Sequence, residues 1–324
     1  MTLTDLLRAA SRTFTLGIEK LPVKLRSAVM VAYLLLRVSD YLEDNHEMPK
    51  ERKVELLGLW DQVLAGKLEL HELTKQLDFL NELTPDAMVA KHVEHVVEAL
   101  DHLPEGLRKP IIKHVRDSTQ GMARWAARGP QVIDEDDMDD YMHEVAGRVG
   151  YLLTNLFAWY SYYVRMHMDR LMPLGREFGL ALQTVNIIRG LRDDYERGWI
   201  YVPASFCEEA GIPPKALFDP ENREQAMLVI DMLADKAERH LLAAKAYLKA
   251  LPPWRHSIRL FCLFPLLFAV RTLAISRYNH LVLDSEAKIT REEVKQIVRD
   301  AERWGWSNHW VDRYYDRLSR VSSS

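Results

Sequence analysis

Apolar residues recur at intervals of three and four along nearly the whole chain, the period of helices that turn one face to a core. The spacing predicts helices over Leu25–Leu42, Val54–Leu64, Met88–Leu100, Tyr141–Tyr163, Met172–Asp194, Gln225–Leu251 and Arg291–Trp304. No segment alternates with the period of two that a half-buried strand needs. Punctuation falls at Pro22, Pro49, Pro104, Gly129-Pro130, Gly198, Pro203, Pro213-Pro214 and Pro252-Pro253, residues that end helices or open turns. The pattern predicts an all-α bundle of about eight to ten helices, and ligand sites in bundles form between facing helices, here around a central apolar cavity.

Composition narrows the class. The 324 residues, 48% of them hydrophobic, can bury a large core, and no low-complexity linker divides them, so one domain over residues 1–324 is expected. A formal net charge of -4 with scattered basic residues argues against a nucleic-acid binder. The few clustered bases flank acidic motifs, an arrangement suited to a phosphorylated small molecule. Cys207 and Cys262 are too few and too far apart for a disulfide framework or a thiolate metal site, and fit a reducing cytoplasm. Met1-Thr2-Leu3-Thr4-Asp5 lacks the basic start and long apolar stretch of a signal peptide, so a cytoplasmic protein is expected. The most membrane-like stretch, Leu260 to Val270, is shorter than the about 20 residues of a span. It reads as a buried core helix lining an apolar cavity, with peripheral contact to a bilayer left open.

Two acidic patches carry the candidate chemistry: Asp40-Tyr41-Leu42-Glu43-Asp44, and the run from Asn186 to Asp194. They read as two walls of one magnesium diphosphate site. Residues four apart share a helix face, so Asp40 and Asp44 present carboxylates to one side. Magnesium takes such oxygens and keeps positions for phosphates. Acidic pairs of this spacing are also common on solvated faces. Here, however, Asp40 and Asp44 extend the apolar run Val29 to Leu36, with Arg37 one turn before, and charges beside an apolar helix need a partner or a metal. In the second patch Gln183, Asn186, Gly190, Asp193, Asp194 and Arg197 fall within one wide stripe. Gly190 stands where a second DxxxD box would carry its first aspartate.

Other candidates are weaker. The densest acid cluster, Asp134 to Asp140, immediately precedes the helix expected from Tyr141 and reads as capping. His143-Glu144 lacks the second histidine of a zinc protease motif, and His92 with His95 has no third ligand. No Ser/His/Asp or Cys/His set, glycine-rich phosphate loop or dinucleotide fingerprint is present.

Four ordered motifs carry a resemblance. Ser11-Arg12-Thr13-Phe14, the run Tyr33 to Asp44, the run Tyr141 to Gly150, and Leu182-Gln183-Thr184-Val185-Asn186-Ile187-Ile188-Arg189 resemble the squalene/phytoene synthase family in order and spacing, from about Ser11 to the Lys288 region. Phe261-Cys262-Leu263-Phe264-Pro265 followed by Ala287-Lys288-Ile289 is more similar to the squalene synthase branch. The resemblance implies an all-helical isoprenoid synthase fold joining two prenyl diphosphates head to head, with farnesyl diphosphate as substrate and squalene as product. It implies Mg2+, with NADPH for a reductive second step.

By position, Asp40, Asp44, Asn186, Asp193 and Asp194 would hold metal, Asp193 compensating for Gly190. Arg12, Arg37 and Arg189 match positions that hold diphosphate, a task suited to the planar guanidinium. Tyr33 and Tyr141 match tyrosines beside the reacting carbons. Phe14, Val145, Ala146, Val149, Gly150, Leu153, Gln183 and Phe261 would line the substrate cavity, although each is also an ordinary core residue. Charge developing on the departing diphosphate needs metals and arginines, and the cation left behind needs a dry cavity with electron-rich rings. Two alternatives stand beside squalene formation: an unreduced dehydrosqualene or phytoene product, and a noncatalytic prenyl-diphosphate-binding or assembly protein.

Overall fold

The structure, a computed structural model, describes residues 1–45, 47–77, 84–129 and 131–320; the Arg12 side chain lies outside that description. The described residues form helices α1 (Leu3–Ala10), α2 (Arg12–Ile18), α3 (Val23–Asp44), α4 (Lys50–Leu64), α5 (Leu70–Leu77), α6 (Pro85–Lys91), α7 (Val93–Asp101), α8 (Glu105–Arg128), α9 (Glu135–Met142), α10 (Arg148–Tyr160), α11 (Tyr162–Met166), α12 (Met168–Glu196), α13 (Ala204–Glu209), α14 (Arg223–Ala250), α15 (His256–Ser276), α16 (Arg291–Trp304) and α17 (Asn308–Leu318). A single π-helical turn, His143–Gly147, joins α9 to α10. Among the described residues there is no strand, only an isolated parallel bridge between Gln131 and Ile200.

The helix count exceeds the eight to ten expected, because long amphipathic runs are broken into pieces. Met88–Leu100 divides at His92 (φ -108°, ψ 21°) into α6 and α7. Tyr141–Tyr163 divides into the end of α9, the π turn, α10 and α11. The hydrophobic period passes through each break, since one residue's backbone angle leaves the apolar spacing unchanged. Several starts follow ordinary capping: Thr2 and Thr290 form capping boxes, and Asp134 accepts from the Asp137 amide at 2.9 Å.

Two compact units make up the chain, residues 1–129 with 148–169, and residues 130–147 with 170–324. Neither is one continuous stretch, so no composition shift marks them. In the first unit, α3 packs with α4, α8 and α10. Its fully buried Ser39 accepts from Trp60 Nε1 at 3.1 Å and stands 2.7 Å from Thr119 Oγ1. Thr119 donates to the Val115 carbonyl at 2.8 Å, so Ser39 donates to Thr119 and the buried network is closed. It pins α3, α4 and α8 one residue from Asp40.

The second unit is built on α12, α14 and α15. Where α12 passes the π turn, a Cβ on Gly179 would lie 2.2 Å from the Ala146 carbonyl oxygen and 2.9 Å from the Gly147 nitrogen. Only hydrogen fits at that backbone-to-backbone contact. Arg259 of α15 is fully buried and donates to the carbonyls of Leu248, Leu251 and Gly305 at 2.9, 2.9 and 3.1 Å and to Asn308 Oδ1 at 2.7 Å. Burial lowers its pKa to about 10, so it stays charged, satisfied by carbonyls at the C-terminal ends of α14 and α16. Helix α15 is long and apolar enough to cross a membrane, yet 83% of its most apolar window is buried inside the protein. The core-helix reading of Leu260–Val270 holds.

The acid cluster does not precede a helix starting at Tyr141: it lies inside α9, with Asp134 as the cap and Glu135, Asp136 and Asp137 in the first turn, and it also makes ion pairs. Lys236 of α14 is 2.6 Å from Asp139 and 3.2 Å from Glu135, which also meets Arg239 at 2.6 Å. Burial pushes the Asp139 carboxyl up, but Lys236 at 2.6 Å and His240 at 3.6 Å outweigh it and hold the pKa at about 2.

Two predictions follow from these contacts. Gly179→Ala forces backbone apart and should cost about 3 kcal/mol in urea unfolding, at the upper end for overpacking. An unchanged midpoint would mean the two segments can separate freely. Asp139 titrates below its ordinary 3.8, so its stabilisation is present above that pH and is lost as pH falls towards about 2. The unfolding free energy of wild type should exceed that of Asp139→Asn by about 2 kcal/mol at neutral pH, and the gap should close across that acid window.

Candidate functional site

In the first unit α3 is buried from Ala28 onward except at positions 30, 33, 37, 40 and 44. These follow the helical period, so one open stripe carries Tyr33, Arg37, Asp40 and Asp44. Arg37 donates from Nη1 to Asp40 at 2.8 Å, and its other edge grips Asp86 of α6, with Nε 2.9 Å from Oδ1 and Nη2 on Oδ2. The pairing with Asp86 was not legible in sequence, where the two stand 49 residues apart.

Asp40 is a quarter exposed, and its pKa is raised to about 6, mainly by burial, with Asp44 and Asp86 adding to the rise and Arg37 opposing it. Glu43 is buried, one of its carboxylate oxygens has no hydrogen-bond partner, and burial with the charges of Asp44 and Asp40 pushes its pKa up. Lys53 donates to the Glu43 carbonyl at 2.6 Å, while burial depresses its own pKa. Four carboxylates thus share this end of the helix with two cations. The donors are all oxygen and their charge is under-compensated, a set that fits a hard divalent cation. Among the described residues no group of three His, Cys, Asp or Glu forms a ready cage. Magnesium is usually held by one or two carboxylates plus phosphate oxygens and does not require one.

Tyr33 packs on Phe14 with ring centroids 5.7 Å apart, and burial raises its pKa, keeping the hydroxyl protonated. Phe14 is half-buried, as are Val149, Gly150 and Leu153 of α10. The expected role of Arg12 falls on a side chain outside the described residues.

In the second unit the open stripe of α12 carries Gln183, Asn186, Gly190, Asp193 and Asp194, with Arg189 at its edge. Asn186 and Arg189 are exposed; Gln183, Gly190, Asp193 and Asp194 are half-buried. Arg197 lies 3.7 Å from Asp194. A Cβ on Gly190 would meet only Asp194 Oδ2, at 3.7 Å, so a side chain fits there. Tyr141 is 3% exposed and stacks on Tyr201 at 4.7 Å, which stacks on Trp199 at 5.5 Å. Trp199 and Tyr201 line a small hollow open to solvent together with Ile187, Leu191, Asp194 and Phe218. Sequence reading missed this aromatic row; its signal is the Gly198 break, where φ is +82° and the chain turns back from α12. Val145 and Ala146 of the π turn are half-buried, and Phe261 is buried in α15.

The squalene/phytoene synthase family profile matches residues 7–293. The chain belongs to the squalene/phytoene synthase family. Members of this family are prenyltransferases, and the match spans the four motifs read from sequence. Squalene synthase of Schizosaccharomyces pombe is 30% identical over 299 residues, covering 91% of this chain and 63% of that protein. Human squalene synthase is 28% identical over 297 residues, covering 91% and 68%. A protein named inactive squalene synthase 2 from Arabidopsis thaliana is 27% identical over 303 residues, covering 91% and 68%. The chain thus spans about two thirds of the length of these curated relatives, 63–68%. Identity at this level does not separate active from inactive members.

Among solved structures, TcSQS with a bound ligand superposes with a TM-score of 0.85 at 25% identity, covering 98% of this chain and 90% of that one. A dehydrosqualene synthase complex gives 0.65 at 19% identity, covering 97% and 95%, a likeness of fold alone. The fold is the all-α isoprenoid synthase fold.

Asp86 takes Nε and Nη2 of the Arg37 guanidinium and leaves Nη1 to Asp40. Asp86→Asn should turn Arg37 wholly to Asp40 and weaken magnesium binding about fivefold, on the order of 1 kcal/mol, by titration calorimetry. Equal or tighter binding would show that Asp86 plays no such part.

Proposed function

We propose that the chain is a magnesium-dependent prenyltransferase that joins two farnesyl diphosphates head to head, giving presqualene diphosphate and then squalene with NADPH as reductant. The observation that carries this reading is the stripe on α3: a buried helix whose open positions hold a tyrosine, an arginine and two aspartates. The sequence relatives named squalene synthase, at 28–30% identity, support the reductive branch. In this reading the whole chain acts as one squalene/phytoene synthase-like domain.

Asp40 and Asp44 from the first unit, and Asn186, Asp193 and Asp194 from the second, would hold magnesium. Bound magnesium would neutralise charge on the diphosphate as its carbon–oxygen bond ionises. Arg12, Arg37 and Arg189 bind diphosphate oxygens, Arg37 being held in place by Asp86. Tyr33 and Tyr141 present ring faces to the positive carbon. Because the Tyr33 hydroxyl stays protonated, it also donates a hydrogen bond without adding charge. Phe14, Val145, Ala146, Val149, Gly150, Leu153 and Gln183 are open enough to meet a prenyl chain, while Phe261, also assigned to that lining, is buried in α15. We place the protein in the cytoplasm, meeting its amphiphilic substrate at a bilayer surface through peripheral contact.

A second reading, a prenyl-diphosphate-binding protein without turnover, is favoured by Gly190, which leaves the second acidic stripe short of one carboxylate in a position with room for it.

Purified protein given farnesyl diphosphate and magnesium, with and without NADPH, should release diphosphate and make squalene only with NADPH. Asp40→Ala and Asp194→Ala should each lower release at least about 100-fold while helical circular dichroism is kept. Full activity in either variant would remove the metal-site reading. Binding without release in wild type, with release gained in Gly190→Asp, would establish the second. An unreduced C30 hydrocarbon in the presence of NADPH would identify the dehydrosqualene alternative.

A further inference from the structure

Helix α9 runs directly into the π turn, and Tyr141 stands two residues after Asp139 and two before His143. Both neighbours are gripped from outside. On one side Asp139 is held by Lys236, which is 2% exposed, at 2.6 Å, and lies 3.6 Å from His240 Nε2. On the other, His143 Nδ1 accepts from Arg176 Nε at 3.2 Å. Arg176 pairs with Glu177 at 2.7 Å, and Glu177 Oε2 accepts from His240 Nδ1 at 2.6 Å. His240, 7% exposed, therefore joins two arms that end on either side of Tyr141.

The proton on Nε2 decides how well the arms hold. His240 Nδ1 donates to Glu177 in either charge state. Protonated Nε2 attracts Asp139; deprotonated, it turns a lone pair towards a carboxylate. The charged groups around it are Glu135 and Asp139 of α9, Arg176 and Glu177 of α12, and Lys236 and Arg239 of α14. Burial pushes the His240 pKa down, but its contacts with Asp139 and Glu177 outweigh that and raise it above 6.5. Single π turns between α-helices are rare and are found mostly at functional sites.

We propose that protonated His240 is a positioning residue for Tyr141: through Asp139 on one side and Glu177, Arg176 and His143 on the other, it holds the π turn in the register that seats Tyr141 on Tyr201. The catalytic consequence rests on the proposed role of Tyr141; the clasp itself does not. Because the pKa of His240 is raised, the clasp is complete below 6.5 and loosens as pH rises through that raised value.

The test has one arm that needs no activity. Imidazole nitrogen–proton correlation spectra of the full chain, titrated with alkali, should show the His143 signals moving with the same midpoint as His240. Glu177→Gln removes one carboxylate from His240 and should shift both midpoints to lower pH together. His143 signals indifferent to His240 would overturn the proposal. In turnover assays kcat should fall through the same midpoint with KM changed less than about twofold, and His240→Gln should show a kcat lowered on the order of tenfold and flat across that window. The same alkaline limb in His240→Gln would also overturn it. Thermal unfolding checks that both variants fold, and Glu177→Gln carries the test if His240→Gln does not. Co-titrating histidines in a protein without turnover would leave the clasp standing and defeat the proposed function instead.

Discussion

A single backbone contact organises the second unit. Gly179 brings α12 against the Ala146 carbonyl so closely that no Cβ could stand between them. The π turn is thereby seated on the helix that carries Asn186, Asp193 and Asp194, and Tyr141 becomes part of the same rigid piece as the second acidic stripe. Side chains lock the contact from both flanks: Thr184 Oγ1 lies 3.2 Å from Met142 Sδ, and Arg176 reaches His143. Glycine is required there because backbone, not a movable side chain, is the obstacle.

The first unit meets a different constraint, which is how to end a buried helix in carboxylates. The Ser39, Thr119 and Trp60 network fixes the packing one residue before Asp40, so the charged end cannot relax outward at small cost. Arg37 divides itself between Asp40 and Asp86, and Lys53 meets a carbonyl of Glu43. Burial then lifts the Asp40 and Glu43 pKa values because too little positive charge is present. Packing creates the electrostatic deficit, and the deficit is what makes the site receptive to a cation.

Much of this was legible in the chain. The period of α3 put Tyr33, Arg37, Asp40 and Asp44 on one face, and the period of α12 did the same for Gln183 to Asp194, because a regular helix converts spacing into direction. Irregularities were not legible. The break at His92 and the π turn change backbone geometry without disturbing the apolar period. Asp86 as partner of Arg37, and the four acceptors that satisfy buried Arg259, depend on which helices pack together, which spacing along one helix does not encode. The row from Tyr141 through Tyr201 to Trp199 closes only after the chain turns at Gly198. Discontinuous compact units likewise leave no mark in composition.

Gly179 and Gly190 both lie on α12, yet they are glycines for opposite reasons. Steric necessity accounts for the first. The second has room for a side chain, 3.7 Å from the nearest atom a Cβ would meet, and costs the helix about 1 kcal/mol relative to alanine. Packing therefore gives no account of Gly190, and its consequence is chemical. Without a carboxylate there, the negative charge of the stripe rests on Asp193 and Asp194, and Arg197 tempers the latter from 3.7 Å. Under the proposed function, a cation on this stripe has fewer protein oxygens and must complete its coordination with oxygens of the diphosphate. Metal and substrate would then bind to this stripe as a pair, each weak alone, which ties occupation of the stripe by a cation to the arrival of the molecule it acts on.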